Sequence, residues 1–357
     1  MTEEKNTSIC ETTKNTIPGM QTCGCSENSC RTPAIQKTTG IITFADRLDH
    51  LLARLGWNRS EHRVEPGLYR LGDPDAESPV FASANYSLSF DALRSPLAGI
   101  DAWILVLDTK GINVWCAAGK GTFGTDELVR RIESSGLASL VTHRTIIVPQ
   151  LGAPGVSWSE VARRTKFLVE YGPVRARDLP EYLKTHTASP AMRRVEFSVR
   201  DRLVLTPVEF MHAALPTLAA AAVLWFLVGP VASLAAVSAV LAGTVLFPLL
   251  LPVLPTQDFS TKGMILGVIV SLPFAYVFGT NPELPAWAGV LSAIAALLLI
   301  PAVISYLALN FTGCTPFTSR TGVKKEIFSY VKIMAGMAAI GAIAGLILGV
   351  CRILGVI

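Results

Sequence analysis

Hydrophobic and polar positions divide this chain into two regimes. Up to about Pro207 they alternate in short blocks, with charge throughout; beyond it charge almost vanishes except in short islands. In the first regime Phe44, Leu48, Leu51, Leu52 and Leu55 fall at helical spacing and stop at Gly56, which predicts a helix over 44–55. Short apolar runs predict strands over 79–85, Ala102–Leu107, 112–117, Thr145–Val148 and 166–171. The run Ala102–Leu107 is apolar throughout, as strands buried on both faces are. Helices are predicted over 88–94, 126–134, 157–164 and 178–184. Thr125 is the expected N-cap of the second of these, with Asp126 and Glu127 in its first turn. Strands alternating with helices predict a doubly wound α/β sheet, whose ligands sit at the carboxyl ends of the strands. Those ends are the loops 85–86, 108–109, 149–152 and 172–173.

In the second regime five apolar segments, 210–228, 231–254, 263–280, 286–309 and 333–350, are long enough to cross a bilayer. Arg193, Arg194, Arg200 and Arg202 precede the first, Lys262 lies in the second loop, and Arg320, Lys324 and Lys325 lie in the fourth. The first and third loops carry no Lys or Arg, so the basic loops share one side with the N-terminal half, and Arg352 is the one exception. The span interiors read as free of ionisable groups, which favours an anchor and scaffold over an ion pathway. Gly263 and Gly267, and Gly341, Gly345 and Gly349, recur every four residues, a spacing that suits close helix packing. The loop NFTGCTPFTSRTGVKKE, with Cys314, is richer in Thr, Ser and Gly than a plain connection needs.

Composition narrows the picture. Half the residues are hydrophobic, which fits a membrane protein with a lipid bilayer as its partner. The net charge of +4 comes without a basic stripe interleaved with aromatics, so no nucleic-acid partner is expected. The seven cysteines, at 10, 23, 25, 30, 116, 314 and 351, form no regular framework and point to a reducing compartment. Residues 1–39 read as a disordered tail whose CGCSENSC segment fits no standard zinc spacing. Residues 1–40 show no signal-like apolar run, so the N-terminal domain is expected in the cytoplasm, attached to the cell membrane.

The candidate chemistry lies in NVWCAAGKGTFGT, 113–125. Gly119-Lys-Gly121-Thr-Phe-Gly124 has the form G-x-G-x-x-G, but the acid expected about 20 residues later is missing. A tight turn between strand and helix accounts for it better than a nucleotide site. Cys116 is either a buried structural thiol or a reactive thiolate able to bind a soft metal. The small residues Ala117, Ala118 and Gly119 would let a large planar cofactor approach the backbone.

The segment NVWCAAGK, together with 67–94 and the NFTGCTPFTSRTGVKKE loop, resembles the corrinoid protein of the mercury-methylation pair, the HgcA family. It is similar too to the large subunit of the corrinoid iron–sulfur protein of acetyl-CoA synthesis, where a soluble barrel replaces the spans. The resemblance implies an α/β Rossmann-like corrinoid-binding domain over 40–190, a linker over 191–209, and an all-α membrane domain of five transmembrane helices over 210–357. It implies a helix at the cysteine motif where the local pattern gives a strand. Cys116 would be the lower ligand of cobalt in a cobalamin-type corrinoid. Asn113, Val114, Trp115, Ala117, Ala118, Gly119, Lys120 and Gly121 would surround it. Ser83, Asn85 and Ser89, with Val148, Gln150 and Gly152, would reach the corrin. The implied activity is a methyltransferase that passes a methyl group from cobalt to Hg(II), served by a ferredoxin-like iron–sulfur electron donor and a folate-type methyl donor. Cys314 is a possible mercury ligand. A methyl carrier for another acceptor and a nucleotide-dependent membrane oxidoreductase remain the alternatives.

Overall fold

A computed structural model describes residues 35–58, 61–315 and 319–357, without the side chains of Cys314 and Arg320. The first half begins β1 (Gln36–Thr38), α1 (Phe44–Arg54), β2 (Gly67–Leu71), β3 (Val80–Ala84), α2 (Ser87–Arg94), β4 (Ala102–Leu107) and α3 (Val114–Lys120). It continues with α4 (Thr125–Ser134), α5 (Leu137–Leu140), β5 (Thr145–Val148), α6 (Trp158–Thr165), β6 (Leu168–Tyr171), α7 (Leu179–Thr185) and α8 (Pro190–Arg193). The six strands form one sheet in the order β1-β2-β4-β3-β5-β6. Strands β4, β3, β5 and β6 are mutually parallel, while β2 runs antiparallel to β4 and carries β1 parallel to itself. The sheet is therefore mixed rather than uniformly doubly wound.

The physical reason for two covered faces is visible in the strand register. Val80, Ala82, Ala84, Leu105 and Leu107 point into a core with Phe123, Leu128, Ile132 and Val161 of the α4 and α6 side. Phe81, Ile104 and Val106, one residue out of phase, enter a second core with Phe90, Leu93, Leu179 and Tyr182 of α2 and α7. Alternate side chains of a strand face opposite ways, so a continuous apolar run serves both cores.

Three local readings need correction. Residues 36–38, read as the end of an unstructured tail, pair with β2 as β1; the CGCSENSC segment lies outside the described residues. The run 112–117 is not a strand: Asn113 caps α3, its side chain accepting from Cys116 N at 2.8 Å. Thr125 is the first residue of α4 rather than its cap, which is Gly124, and the Thr125 hydroxyl instead accepts from Ser157 N at 2.9 Å.

The second half contains α9 (Val199–Leu203), α10 (Thr206–Leu227), α11 (Pro230–Leu241), a π-turn over Ala242–Leu246, and α12 (Phe247–Leu250). Then follow α13 (Phe259–Gly279), α14 (Ala286–Asn310) and α15 (Arg320–Ile353). Five helical stretches are long and apolar enough to cross a membrane: Val199–Leu227, Pro230–Leu250, Phe259–Gly279, Ala286–Gly313 and Thr321–Ile353. They extend beyond the hydropathic segments, so Glu209, Lys262 and Glu326 belong to helices, near their ends, while His212 lies inside the first segment, in the second turn of α10, so that span is not free of ionisable groups. Close packing explains part of the glycine spacing. A β-carbon on Gly267 would lie 2.3 Å from Pro301 Cα, and one on Gly263 2.6 Å from Ser305 Cα, so α13 and α14 touch backbone to backbone there. Gly341 meets Leu299, whereas Gly345 and Gly349 face open space.

Polar groups staple the ends of these helices. Glu326 Oε1, buried, accepts from Ser260 N and Oγ at 2.6 and 2.8 Å, and Ser305 Oγ donates to Ser260 O at 2.6 Å. The carbonyls that end the second span are taken by two cations. Arg202 donates to Leu249 O at 2.6 Å, and Lys262 donates to Leu251 O and Leu254 O, each at 2.8 Å.

Candidate functional site

The site is built on the loop between β4 and α3. Buried Asn85, just past β3, holds this loop from beneath. Its Oδ1 accepts from Thr109 N at 3.0 Å, Thr109 Oγ1 at 2.9 Å and Gly111 N at 3.0 Å. The loop turns through left-handed backbone at Lys110 and Gly111 (φ 58° and 69°). Glu127 of α4 steadies its other side, accepting from Asp108 N at 2.8 Å while paired with Arg131 at 2.7 Å. The outcome is a fixed start for α3, with Cys116 one turn past the Asn113 cap.

Cys116 is a free thiol, partly exposed, on the wall of a cavity of about 500 Å³. The α/β half supplies most of that wall. Phe81, Ala82 and Ser83 come from β3, Ser89 and Leu93 from α2, and Asn113, Val114 and Trp115 from the start of α3. Pro149 and Leu151 follow β5, and Gly172 and Pro173 follow β6. These are carboxyl ends of parallel strands, and between β3 and β5 the strand order reverses, the usual place for a ligand in such a sheet. The rest of the wall is Val195, Phe197, Asp201, Leu205 and Thr315, from the linker, the start of the membrane half and the loop after α14.

Sequence-expected residues separate into those on the cavity and those behind it. Ser83, Ser89, Asn113, Val114, Trp115 and Cys116 line it. Asn85 is committed to the loop. Ala117 and Ala118 are buried in the core, and Gly155 packs on Ala118: a β-carbon there would lie 3.1 Å from Ala118 Cα. The small residues of the motif thus let α3 approach a neighbouring loop. Gly119 faces open space, Lys120 is exposed, and Gly121 (φ 85°) caps the helix, donating to Ala117 and Ala118 carbonyls. The G-x-G-x-x-G pattern is therefore the end of one helix and the start of another, not the strand-to-helix turn of a dinucleotide site. Val148 is in the core, Gln150 accepts from Arg193, and Gly152 packs against the Phe123 ring. The Cys314 side chain lies outside the description; its backbone closes the short turn Phe311–Cys314. Among the described residues no group of three or more His, Cys, Asp or Glu is placed to hold a metal ion.

Two features of the cavity were not read from sequence. Asp201 accepts from Ser198 N at 3.1 Å, from Ser198 Oγ at 2.9 Å and from Arg175 at 3.1 Å, tying the linker to the loop after β6. Thr315 is only 3% exposed, and its Oγ1 has no hydrogen-bond partner among the described residues. A buried hydroxyl without a partner costs about 1–3 kcal/mol, and this one belongs to a residue of the cavity wall. Thr315 directly follows Cys314 in a loop already conspicuous for its polarity. Nothing in the linker sequence marked Phe197 or Leu205.

Comparison with known proteins supports attention to this half. A family described as CO dehydrogenase/acetyl-CoA synthase delta subunit matches residues 56–178, which take in β2 to β6 and Cys116. The acetyl-CoA decarbonylase/synthase complex subunit gamma of Methanopyrus kandleri is 35% identical over 128 residues, 35% of this chain and 27% of the relative. Subunit gamma 2 of that complex from Methanosarcina mazei is 35% identical over 130 residues, again 35% and 27%. The subunit gamma of Methanocaldococcus jannaschii is 38% identical over 97 residues, 27% of this chain and 20% of the relative. The chain thus spans about a quarter of the length of the curated relatives it matches.

Proposed function

We propose that this chain is a membrane-anchored corrinoid protein that carries a methyl group and delivers it to Hg(II), with Cys116 as the side chain that would hold its cobalt. The observation that carries the reading is the free Cys116 thiol, held at a fixed helix start on the wall of a mostly apolar cavity. The residues present fit such a group: a soft sulfur ligand on the wall, and an orphan hydroxyl, Thr315 Oγ1, to meet a polar edge. Similarity to subunits of the acetyl-CoA decarbonylase/synthase complex supports methyl-transfer chemistry. A bound corrinoid would supply a cobalt-borne methyl group.

The protein's own contributions follow from the geometry. Asn85 and Asn113 fix the loop and the cap, and so fix where Sγ points. To serve as a ligand the thiol must lose its proton, and a thiolate donates more electron density than a neutral imidazole. A thiolate at Cys116 would thus supply electron density to a bound corrinoid, which suits chemistry toward a soft electrophile. Phe81, Val114, Trp115, Phe197 and Leu205 exclude water. Regeneration then requires a ferredoxin-like electron donor and a folate-type methyl donor.

Hg(II) as the acceptor rests on the likeness of the cysteine motif and the 310–326 loop, joined to a membrane half, to the mercury-methylating family. A carrier for a different acceptor is the second reading, favoured by the matched relatives. The oxidoreductase alternative loses its support with the glycine pattern.

The test is reconstitution of the full chain with a corrinoid, read by absorption spectrum and by methylmercury formation. Wild type is expected to show a sulfur-ligated corrinoid spectrum. Cys116→Ala should shift that spectrum and abolish methyl transfer, and Cys116→His should transfer more slowly than wild type. A wild-type spectrum and full activity in Cys116→Ala would remove the ligand role. An intact spectrum with no methylmercury from wild type plus its donors would favour the other acceptor.

A further inference from the structure

Helix α1 is built inside out for a water-soluble domain. Its polar residues are turned onto the protein. Asp46 pairs with Arg94 at 2.9 Å, Asp49 contacts His62 at 2.6 Å and accepts from Ser87 Oγ at 2.5 Å, and His50 meets Asp91 at 2.7 Å. Arg94 adds bonds to the carbonyls of Thr39 and Ile41, which bind the strand leading into α1 to the same place. The opposite stripe, at spacings of four and three, is Phe44, Leu48 and Leu51, and it faces outward. Phe44 is 82% exposed and Leu51 53%, while Trp57, just past the helix, is 66% exposed. An ordinary surface helix buries that stripe and wets the acids. Here the acids are consumed by the protein, and the exposed charges on α1 beside the stripe are cations, Arg47 and Arg54.

Position says what covers the stripe. The turn that ends α1 packs at the start of the first span. A β-carbon built on Gly56 would lie 3.4 Å from His212 Nε2 and 3.8 Å from Val208 Cγ1, both on the opening turns of α10. The apolar face of α1 and Trp57 are thus continuous with the place where the chain passes into lipid. We propose that α1 lies in the headgroup region of the bilayer as a second, in-plane anchor, its Phe44–Leu51 stripe in the acyl boundary and Arg47 and Arg54 toward anionic headgroups. Amphipathic helices with apolar residues on one side and cations on the flank bind this region, and tryptophan prefers it. The proposal is independent of the reaction at Cys116.

The test uses the full chain in nanodiscs of mixed zwitterionic and anionic phospholipid. A fluorescent non-natural residue replaces Leu51, with a control at exposed Lys166 beyond α6. Lipids brominated on the upper acyl carbons should quench the probe at 51 several-fold more than the one at 166. Leu48→Glu in the same chain should lower the quenching at 51, and Arg47→Gln with Arg54→Gln should remove its dependence on anionic lipid. Quenching at 51 no greater than at 166 overturns the proposal. So does burial of the probe that disappears when residues 2–34 are deleted, since the chain's own tail would then be the cover. Burial only after adding an iron–sulfur electron donor would assign the face to a protein partner instead.

Discussion

Asn85 and Thr315 show how two buried polar side chains on one site differ. Asn85 is spent on the loop that aims α3, so it acts on the site without lining it. Asn85→Ala strands the N–H groups of Thr109 and Gly111. At about 1–3 kcal/mol for each buried donor left unpaired, a loss of roughly 3 kcal/mol is expected, read by denaturant melting of the α/β half. Thr315 has no such internal commitment among the described residues. Thr315→Val keeps the shape and removes the hydroxyl, so folding should be unchanged or slightly improved. Retention of a corrinoid on gel filtration should fall several-fold, because the ligand then loses a hydrogen bond. Equal retention in the valine variant would show that the orphan hydroxyl has no ligand to meet.

At the scale of elements, α1 is held by a contact whose strength depends on proton supply. His62 lies between two acceptors, Asp49 at 2.6 Å and the Trp57 carbonyl at 2.6 Å, so both ring nitrogens are satisfied only when both carry protons. Burial lowers its pKa, but the Asp49 and Trp57 contacts outweigh this and raise it above the ordinary value. A raised folded pKa stabilises fully below about 6.5, the unfolded value, and that contribution is lost as pH climbs through the folded value. The thermal midpoint of the α/β half should therefore fall as pH rises above about 6.5, and His62→Gln should flatten that slope. Legibility followed the same physical lines. Strands β3 to β5 were readable because apolar runs buried on both sides are unmistakable, and the edge strand β6 was readable from its short apolar start despite its exposure. Strand β2 was not, since Gly67 and Arg70 interrupt its GLYRL run. The 112–117 run misled because a short apolar stretch fits helix and strand alike, and the decisive signal was the cap, Asn113. Cys116 itself was legible from its motif. The far wall of its cavity was not, because Phe197, Leu205 and Thr315 meet it only through folding.

For the whole molecule, the two halves share one cavity, so separating them has a cost. A fragment over 40–190 keeps most of both cores of the sheet and should fold. It lacks Val195, Phe197, Asp201, Leu205 and Thr315, so it should hold a corrinoid several-fold less tightly than the full chain, measured by equilibrium dialysis. Equal affinity would confine the site to the α/β half. The cations that close the end of the second span reach further, into how the chain is made. Leu249, Leu251 and Leu254 offer carbonyls that no lipid can satisfy, and their partners arrive at different times during synthesis: Arg202 before the first span is complete, Lys262 only with the opening of the third. The second span is thus unfinished until residue 262 has emerged from the ribosome, and insertion of the third span completes it. Chains truncated after 256 and released into the membrane should leave the end of that span open to protease from the side bearing the α/β half, and released chains truncated after 290 should protect it. Lys262→Ala should keep the longer chain in the vulnerable state, turning a single lysine into the checkpoint between half-built and built.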